Sequence, residues 1–191
     1  MKSVGKLIAI LGSTGSGKSV LIKHIRSLHP EFIAPVSYTT RAMRPGERDG
    51  GHYHFVSREE FQRHIAAGEF IEWVQFAGNY YGSLKSEILP HLAEGKIVLD
   101  EFDLDGVRAY QRIIPREQFI SIFIDGGSWE DLERRVRARA PITDAELEER
   151  KKCYENELKF KNEATYVVQN PTGKVEKAKK QLEDIINALL A

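Results

Sequence analysis

Gly12-Ser13-Thr14-Gly15-Ser16-Gly17-Lys18-Ser19 follows an apolar run at residues 7–11 and precedes a helical pattern at residues 20–25. A strand, a loop of the form G-x-x-x-x-G-K-[ST] and a helix, in this order, are typical of a phosphate-binding loop. Gly15 and Gly17 can adopt backbone angles closed to other residues, so the loop amides can turn toward phosphate oxygens. The N-terminus of the following helix adds partial positive charge.

The last two residues of this loop carry the chemistry. In such a loop Lys18 reaches the β- and γ-phosphates, and the Ser19 hydroxyl binds Mg²⁺. The alternative is an inert turn rich in glycine and serine. An inert turn requires neither the Lys-Ser pair nor the flanking strand and helix, so the sequence favours a nucleotide site.

The overall composition is that of an ordinary globular domain. The chain has 191 residues, 41% of them hydrophobic and 29% charged, which suits one domain with a buried core. Lysine and arginine total 28, as do aspartate and glutamate. This neutrality argues against a dedicated nucleic-acid binder, which is usually basic. The longest apolar runs are far shorter than a membrane span.

Two features of the sequence, the cysteine count and the position of the first strand, bear on the cellular compartment of the protein. Cys153 is the only cysteine, so no intrachain disulfide can form, and we expect a reducing compartment, the cytoplasm. The first predicted strand follows Met1 almost at once. We therefore expect no signal peptide.

Strand patterns alternate with helix patterns along the chain. This alternation predicts an α/β fold with a mainly parallel sheet covered on both faces. Residues 37–51 are polar and rich in glycine, which predicts a loop. Ser83 is expected to cap a helix that runs to about residue 94. Strands are predicted at residues 6–11, 32–36, 53–56, 70–76, 80–82, 96–100, 119–124 and 166–169, and helices at 18–28, 57–67, 84–94, 129–138, 143–161 and 175–189.

Three further segments carry a resemblance to a known family. Residues 37–47 read S-x-T-T-R-x-x-R-x-G-E, residues 70–73 read F-I-E-W, and residues 78–83 read G-N-Y-Y-G-S. With the loop at 12–19 and an arginine region near Arg139, this pattern resembles the guanylate kinases over nearly the whole chain.

The resemblance implies a P-loop nucleoside monophosphate kinase fold. Its core would comprise residues 1–36, 84–127 and 162–191, with a GMP-binding subdomain at about 37–83 and a lid at about 128–161. The implied reaction is the Mg²⁺-dependent transfer of the γ-phosphate of ATP to GMP, giving ADP and GDP, with dGMP as a second acceptor. ATP and GMP would be the partners, with neither nucleic acid nor membrane.

The resemblance implies that arginines and tyrosines bind the phosphate of the acceptor. Arg41 and Arg44 would hold it, because guanidinium groups bind two oxygens at once and stay charged. Tyr53 and Tyr81 would donate phenolic hydrogen bonds to the same phosphate. The alternative for the arginines is a solvated loop.

Glu72 is assigned to the guanine base. Its carboxylate can accept hydrogen bonds from N1–H and the 2-amino group of guanine, whereas adenine has an acceptor at N1 and no 2-amino group. The hydroxyls of Ser37 and Ser83 would complete the pocket, next to Gly82. The alternative is an exposed glutamate on a strand.

The acidic segment after the strand at residues 96–100 departs from the family pattern L-D-I-D-x-Q-G. Residues 99–106 read L-D-E-F-D-L-D-G, one residue longer. Asp100 ends an apolar strand, where an acid supports Mg²⁺ in phosphate-binding-loop enzymes; a strand-end acid without that role is the alternative. Asp103 is the better match to the second family aspartate, near the guanine, and Glu101 competes with it.

Arginines of the predicted lid would stabilise the transferring phosphate. Arg135, Arg139 and Arg150 match family positions, while Ala140 replaces the family glycine and Pro141 follows, which predicts a stiffer lid. A solvated helix face and a nucleic-acid patch are the alternatives. Asn170 matches a position beside the adenine of ATP, or it is a strand-end turn residue.

The resemblance thus gives four sets of residues. The catalytic residues are Lys18, Arg41, Arg139 and Arg150. The ATP-binding residues are Gly12, Ser13, Thr14, Gly15, Ser16, Gly17, Lys18, Ser19, Val20, Arg135, Arg139 and Asn170. The GMP-binding residues are Ser37, Arg41, Arg44, Tyr53, Glu72, Tyr81, Gly82, Ser83, Asp100 and Asp103. The metal-binding residues are Ser19 and Asp100.

Two other functions stay open at this point. A binding module related to guanylate kinases but without catalysis would have an impaired phosphate loop, whereas here Lys18 and Ser19 are both present. A kinase of the same fold could act on another phosphorylated acceptor, such as a ribose bisphosphate. Glu72 together with Ser37 argues for a base instead.

Overall fold

The computed structural model describes residues 4–191. In that range, strands and helices alternate, with short 3₁₀ turns at Lys85–Glu87 and Arg116–Gln118. The strands are β1 (Lys6–Leu11), β2 (Tyr38–Thr39), β3 (His54–Phe55), β4 (Phe70–Phe76), β5 (Asn79–Leu84), β6 (Ile97–Glu101), β7 (Phe119–Asp125) and β8 (Tyr166–Gln169). The helices are α1 (Lys18–Leu28), α2 (Arg58–Ala66), α3 (Leu89–Ala93), α4 (Leu104–Gln111), α5 (Trp129–Arg139), α6 (Asp144–Phe160) and α7 (Val175–Leu190).

The core is a parallel sheet with the strand order β6-β1-β7-β8. The central strand β1 is almost entirely buried, as expected for a parallel strand covered on both faces. Because successive side chains point to opposite faces, Leu7 and Ala9 join one apolar cluster and Ile8 and Ile10 another. Helices α3, α4 and α6 contribute to the first cluster, and α1 and α7 to the second. The predicted α/β fold with helices on both faces is confirmed.

A second, mixed sheet has the order β3-β2-β5-β4. The hairpin β4–β5 turns at Ala77 and Gly78, both with positive φ. Its buried core consists of Phe61 from α2 with Phe70 and Leu84, while Trp73 is exposed on β4. The strands of this sheet carry four of the ten residues predicted to bind GMP, namely Glu72, Tyr81, Gly82 and Ser83.

Helices α5 and α6 pack together through Trp129, Leu132, Val136 and Leu147. Thr143 begins α6 with the predicted capping box, since its side chain accepts from the Glu146 amide and the Glu146 carboxylate accepts from the Thr143 amide. The pair of helices places arginines beside the phosphate loop.

Three local predictions are wrong, and one helix was missed. The strand predicted at residues 32–36 reduces to a single bridge between Ile33 and Val98, because Pro35 lacks the N–H that a longer ladder requires. Ser83 does not cap a helix: it pairs with Glu72 inside β5, and α3 starts later, at Leu89. Helix α4 was not predicted, although Asp103 caps it by accepting a hydrogen bond from the Gly106 amide. Strand β2 lies within the predicted loop 37–51.

Between residues 4 and 191, the structure contains no helix that combines the length and the apolarity needed to cross a bilayer.

Candidate active site

The phosphate loop joins β1 to α1 and is fixed by close packing. Gly12 has φ 142° and Gly17 has φ 91°. A Cβ atom at Gly12 would collide with the carbonyl oxygen of Ile124, and one at Gly17 with the side-chain amide of Asn170. That amide donates a 2.7 Å hydrogen bond to the Ser16 carbonyl. The loop conformation therefore requires glycine at both positions, and Asn170 supports it from β8.

Lys18 and Ser19 lie at the start of α1 and share one partner. The Lys18 ammonium group donates to the carbonyl oxygens of Gly12 and Ser13, the latter at 3.2 Å, and lies 3.6 Å from a carboxylate oxygen of Glu101. The Ser19 hydroxyl donates to the other oxygen of Glu101 at 3.1 Å. Lys18 thus folds back over the loop where phosphate oxygens would enter. Val20, one residue on, is exposed.

The predicted lid arginines converge on the same loop. The Arg135 guanidinium donates to the carbonyl oxygens of Gly15 (3.1 Å) and Asn170 (3.0 Å). Arg150 on α6 donates to the Thr14 hydroxyl at 2.7 Å. These two arginines, with Arg139, Thr14 and Gly15, line a cavity of about 280 Å³. The structure brings together all three arginines predicted for the donor side.

Glu157 on α6, which the sequence analysis missed, also faces the loop. One carboxylate oxygen of Glu157 on α6 is buried and has no hydrogen-bond partner in the described part of the chain. Burial raises the pKa of this carboxyl, against a hydrogen bond to Ser13 and the charge of Lys18, while Asp103 raises it further. Only the tertiary arrangement reveals it, because in the sequence it is one acid of a highly charged helix.

Arg41 is held in place at the acceptor side by a carboxylate. Glu47 accepts two hydrogen bonds from the Arg41 guanidinium, at 2.8 and 3.0 Å, and one from the Arg44 amide at 2.7 Å. The Arg41 guanidinium also lies 5.6 Å from the ring centres of Tyr53 and Phe55. The pair with Arg41 lowers the pKa of the Glu47 carboxyl to about 2. Glu47 orients the predicted phosphate arginine.

The tyrosines predicted at the acceptor phosphate are neighbours. The rings of Tyr53 and Tyr81 lie edge to face with centres 6.0 Å apart. Tyr81 is on β5, opposite Thr39 of β2, so the second sheet places it beside the segment that bears Arg41. Arg44 is exposed. Arg41, Tyr53 and Tyr81 therefore form one cluster, in which Arg41 lies over the Tyr53 ring and Tyr81 packs against the same ring.

The predicted base pocket lies across the hairpin of the second sheet. Glu72 on β4 pairs with Ser83 on β5, one residue from Gly82, and the hydroxyls of Ser37 and Ser83 lie 3.4 Å apart. Burial raises the pKa of Glu72, with a further rise from the Asp103 charge, against a hydrogen bond from Ser83. The structure thus gathers Ser37, Glu72 and Ser83 and places Asp103 nearby.

Tyr110 on α4 adds a buried phenol to this region. Its side chain is 1% exposed, and its hydroxyl has no hydrogen-bond partner within residues 4–191. Burial raises the pKa of Tyr110, against the effect of the Ser83 hydroxyl, and the charges of Glu72 and Asp100 raise it further. Sequence reasoning missed this tyrosine, because the helix that carries it was not predicted.

Asp100 and Glu101 at the end of β6 point to different partners. Asp100 accepts a 3.1 Å hydrogen bond from Arg26 on α1, and burial raises the pKa of its carboxyl to about 6. Glu101 instead contacts Ser19 and Lys18. Glu101 therefore lies at the phosphate loop, whereas Asp103, its competitor for the base-side position, lies near Glu72.

Comparisons with known proteins agree with this geometry. The guanylate kinase family model matches residues 4–189. A guanylate kinase from Synechococcus sp. (strain JA-3-3Ab) is 39% identical over 182 residues, covering 95% of this chain and 82% of the relative. One from Streptomyces coelicolor is 37% identical over 186 residues, covering 97% and 89%. The crystal structure of guanylate kinase from Anaplasma phagocytophilum superimposes with a TM-score of 0.70 at 30% identity, covering 98% and 87%.

These matches span almost the whole chain, and the glycine-rich loop and the second sheet both lie within the matched residues. The chain belongs to the guanylate kinase family, the nucleoside monophosphate kinases that transfer phosphate from ATP to GMP.

Proposed function

We propose that the phosphate loop holds the triphosphate of ATP while the second sheet holds GMP. The observation that supports this division is the presence of two separate constellations. One gathers Lys18 and the arginines of α5 and α6 at the loop, and the other gathers Arg41, Tyr53 and Glu72 on and around the second sheet. Residues 37–83 would form the GMP-binding subdomain, 128–161 the lid, and the remainder the core, in a cytoplasmic enzyme.

On the donor side, the loop amides and Lys18 would bind the phosphates of ATP. The cationic side chains of Lys18, Arg139 and Arg150 would stabilise the charge that spreads over the transferred phosphoryl group. Arg135 and Asn170 hold the loop carbonyls now and would flank the nucleotide. The proposed ATP contacts are residues 12–20 with Arg135, Arg139 and Asn170.

On the acceptor side, Arg41 and Arg44 would bind the GMP phosphate with Tyr53 and Tyr81. Glu72 would accept hydrogen bonds from N1–H and the 2-amino group of guanine. The remaining residues proposed for this subsite are Ser37, Gly82, Ser83, Asp100 and Asp103.

The donor side also fits a magnesium ion. The Ser19 hydroxyl and the carboxylates of Asp100 and Glu101 surround a small cavity, and oxygen ligands with retained waters are what Mg²⁺ prefers. Ser19 and Asp100 are the ligands proposed from the sequence. A bound Mg²⁺ would neutralise charge on the β- and γ-phosphates.

No side chain needs to act as a nucleophile in this reaction. Catalysis would consist of holding the acceptor phosphate in line with the γ-phosphate and of neutralising charge. Closure of the lid helices would exclude water, which otherwise competes as the acceptor.

The test is an assay of ADP release with GMP, dGMP, AMP, UMP and ribose 1,5-bisphosphate side by side. GMP should exceed AMP in kcat/KM by roughly 10⁴, because a site built around a hydrogen-bonding partner rejects analogues that lack it. Preference for ribose bisphosphate would indicate a kinase of the same fold that acts on this other acceptor. ATP binding without turnover of any acceptor would indicate a binding module.

A further inference from the structure

We propose that Tyr110 is a positioning residue for guanine recognition: when GMP binds, its buried hydroxyl donates a hydrogen bond to Ser83, and Ser83 donates to the Glu72 carboxylate. This inference rests on the proposed function of the second sheet as the part that holds GMP. It concerns a side chain of helix α4, outside the set of residues proposed above to contact GMP.

The Tyr110 ring is fixed within the core of the parallel sheet. Its side chain is 1% exposed and packs in the apolar cluster that contains Leu7 and Ala9 of β1. The ring of Phe102 lies edge-on to it, with the ring centres 4.7 Å apart and an interplanar angle of 70°. A ring packed in this way cannot swing its hydroxyl out to solvent.

The second sheet meets this part of the core through a bulge in β4. The pairing of β4 with β5 shifts between Phe70 and Glu72, so that Ile71 has no opposite residue on β5. Ile71 packs in the same apolar cluster as Tyr110, whereas Phe70 packs in the core of the second sheet. Bulges redirect side chains and are common next to active sites. The bulge therefore joins the strand that bears Glu72 to the part of the core that contains Tyr110.

Ser83 is the group that can link the phenol to Glu72. The Tyr110 hydroxyl has no hydrogen-bond partner in the described range 4–191. The hydroxyls of Ser83 and Ser37 lie 3.4 Å apart, longer than the usual distance of about 2.8 Å, so they hold each other weakly. Ser83 also forms a hydrogen bond that lowers the pKa of Glu72. A hydroxyl that donates to a carboxylate can still accept a hydrogen bond from the phenol.

The unpartnered hydroxyl couples the free energy of the pocket to GMP binding. A buried hydroxyl without a partner destabilises the GMP-free protein, and a partner gained on binding favours the bound state. A small shift of the β4–β5 hairpin would bring Ser83 within reach of Tyr110. The resulting chain of hydrogen bonds holds the Glu72 carboxylate against the N1–H and 2-amino groups of guanine.

Tyr110→Phe tests this role, because it keeps the ring and removes the hydroxyl. KM for GMP should rise about tenfold, while kcat stays within about twofold of the wild-type value and KM for ATP is unchanged. Inosine monophosphate keeps the N1–H of guanine but lacks the 2-amino group, so its binding depends less on the position of Glu72. The ratio of kcat/KM for GMP to that for inosine monophosphate should therefore fall about threefold in the variant.

Thermal unfolding separates this role from a purely structural one. Without GMP, the variant should unfold at the wild-type temperature or above it, because it no longer buries an unpartnered hydroxyl. At one fixed GMP concentration, the rise in the unfolding midpoint should be smaller in the variant, because stabilisation by a ligand follows its affinity. A lower midpoint without GMP, together with an unchanged KM for GMP, would show that the hydroxyl only supports the core and would overturn the inference.

Two further variants show whether the hydroxyl acts through Ser83. Ser83→Ala removes the middle member of the chain, so adding Tyr110→Phe should raise KM for GMP no further. An equal effect of Tyr110→Phe with and without the Ser83 hydroxyl would overturn the inference. Tyr166→Phe is the matched control, since it removes the hydroxyl of a half-buried tyrosine from β8 of the core sheet. It should leave KM, the specificity ratio and the effect of GMP on the midpoint unchanged.

Failure of this inference is distinguishable from failure of the proposed function. Turnover of GMP by the wild-type protein is measured on the same preparation. If GMP is phosphorylated and Tyr110→Phe leaves KM for GMP and the specificity ratio unchanged, the proposed function stands and the role of Tyr110 is wrong. If the wild-type protein does not phosphorylate GMP, the proposed function itself fails.

Discussion

The phosphate loop and the acceptor region are built in different ways. The loop lies at the end of β1, between two large apolar clusters of the parallel sheet, and its polar surface consists mainly of backbone groups. The acceptor region lies on the small second sheet, whose buried core consists of Phe61, Phe70 and Leu84. There the polar surface consists of side chains that hold one another, such as Arg41 with Glu47.

Because of this difference, we expect substitutions in the two regions to affect different properties of the enzyme. A site made of backbone amides on a well-packed sheet keeps its shape when one side chain changes, so substitutions there should alter the reaction. A site made of paired side chains loses its shape when one partner is removed, so substitutions there should alter acceptor binding. Four variants test this difference between the two regions, and they follow in order of decreasing predicted effect.

Lys18→Met removes the loop cation that is proposed to act on the transferring phosphate. Turnover should fall by roughly 100-fold or more, which corresponds to about 2.7 kcal/mol of transition-state stabilisation. The thermal unfolding midpoint should stay close to that of the wild type, because the glycines and Asn170 hold the loop. Turnover near the wild-type value would refute the role of Lys18.

Arg41→Ala removes the arginine that Glu47 holds in place and that is proposed to bind the acceptor phosphate. GMP affinity should fall roughly 30-fold, because hydrogen bonds to a charged group are lost. ATP affinity should stay nearly unchanged when each nucleotide is titrated separately. Arg48→Ala in the same segment is the matched control. Equal loss of both affinities would mean that the two regions are not independent.

Asp100→Asn removes a carboxyl whose pKa burial raises to about 6. Between pH 4 and 6 the folded wild-type protein keeps a proton that the unfolded chain loses, so its free energy of unfolding falls as pH rises. The variant lacks this contribution, and its stability relative to the wild type should rise by on the order of 2 kcal/mol over that window.

Denaturant titrations at several pH values measure this difference, with Asp105→Asn as the control. Above pH 6 the difference should be constant. A difference that stays flat from pH 4 to 6 would show that Asp100 ionises normally in the folded protein.

Glu47→Gln loosens Arg41 without removing it. KM for GMP should rise about fivefold, because the charged partner is lost while the shape is kept. Since the pKa of Glu47 is lowered to about 2, its stabilising charge is fully present above pH 4.5 and is lost only as pH falls through about 2. Glu59→Gln, on an exposed residue of α2, is the matched control. A changed KM for ATP would contradict a role confined to the acceptor side.

Much of this organisation was predictable because its signals are local. The loop at 12–19, the strand β1, the capping box at Thr143 and the hairpin around Gly78 each depend on residues close in sequence. The predicted strand at 32–36 failed at Pro35, and Ser83 was drawn into β5 by its pairing with Glu72. Tertiary pairing overrode the local preference in the second case.

Contacts between distant segments could not be predicted from one sequence. Glu101 contacts Ser19, 82 residues earlier in the chain, and the Glu157 carboxylate on α6 interacts with Ser13 of the loop. Both residues lie in stretches with several acidic residues, and the sequence does not show which of these carboxylates contacts the phosphate loop. Tyr110 was missed because it lies on α4, a helix that the sequence analysis did not predict. Asp103 caps the start of α4, but it was interpreted only as an active-site acid.

Glu72 is proposed to select guanine, and the preference for GMP over AMP measures this selection. The ratio of kcat/KM for GMP to that for AMP is determined for the wild-type protein and for Glu72→Gln. We expect a large ratio in the wild type and a much smaller one in the variant, because the amide places a donor where guanine requires an acceptor. An unchanged ratio in the variant, even with uniformly slower turnover, would contradict the account.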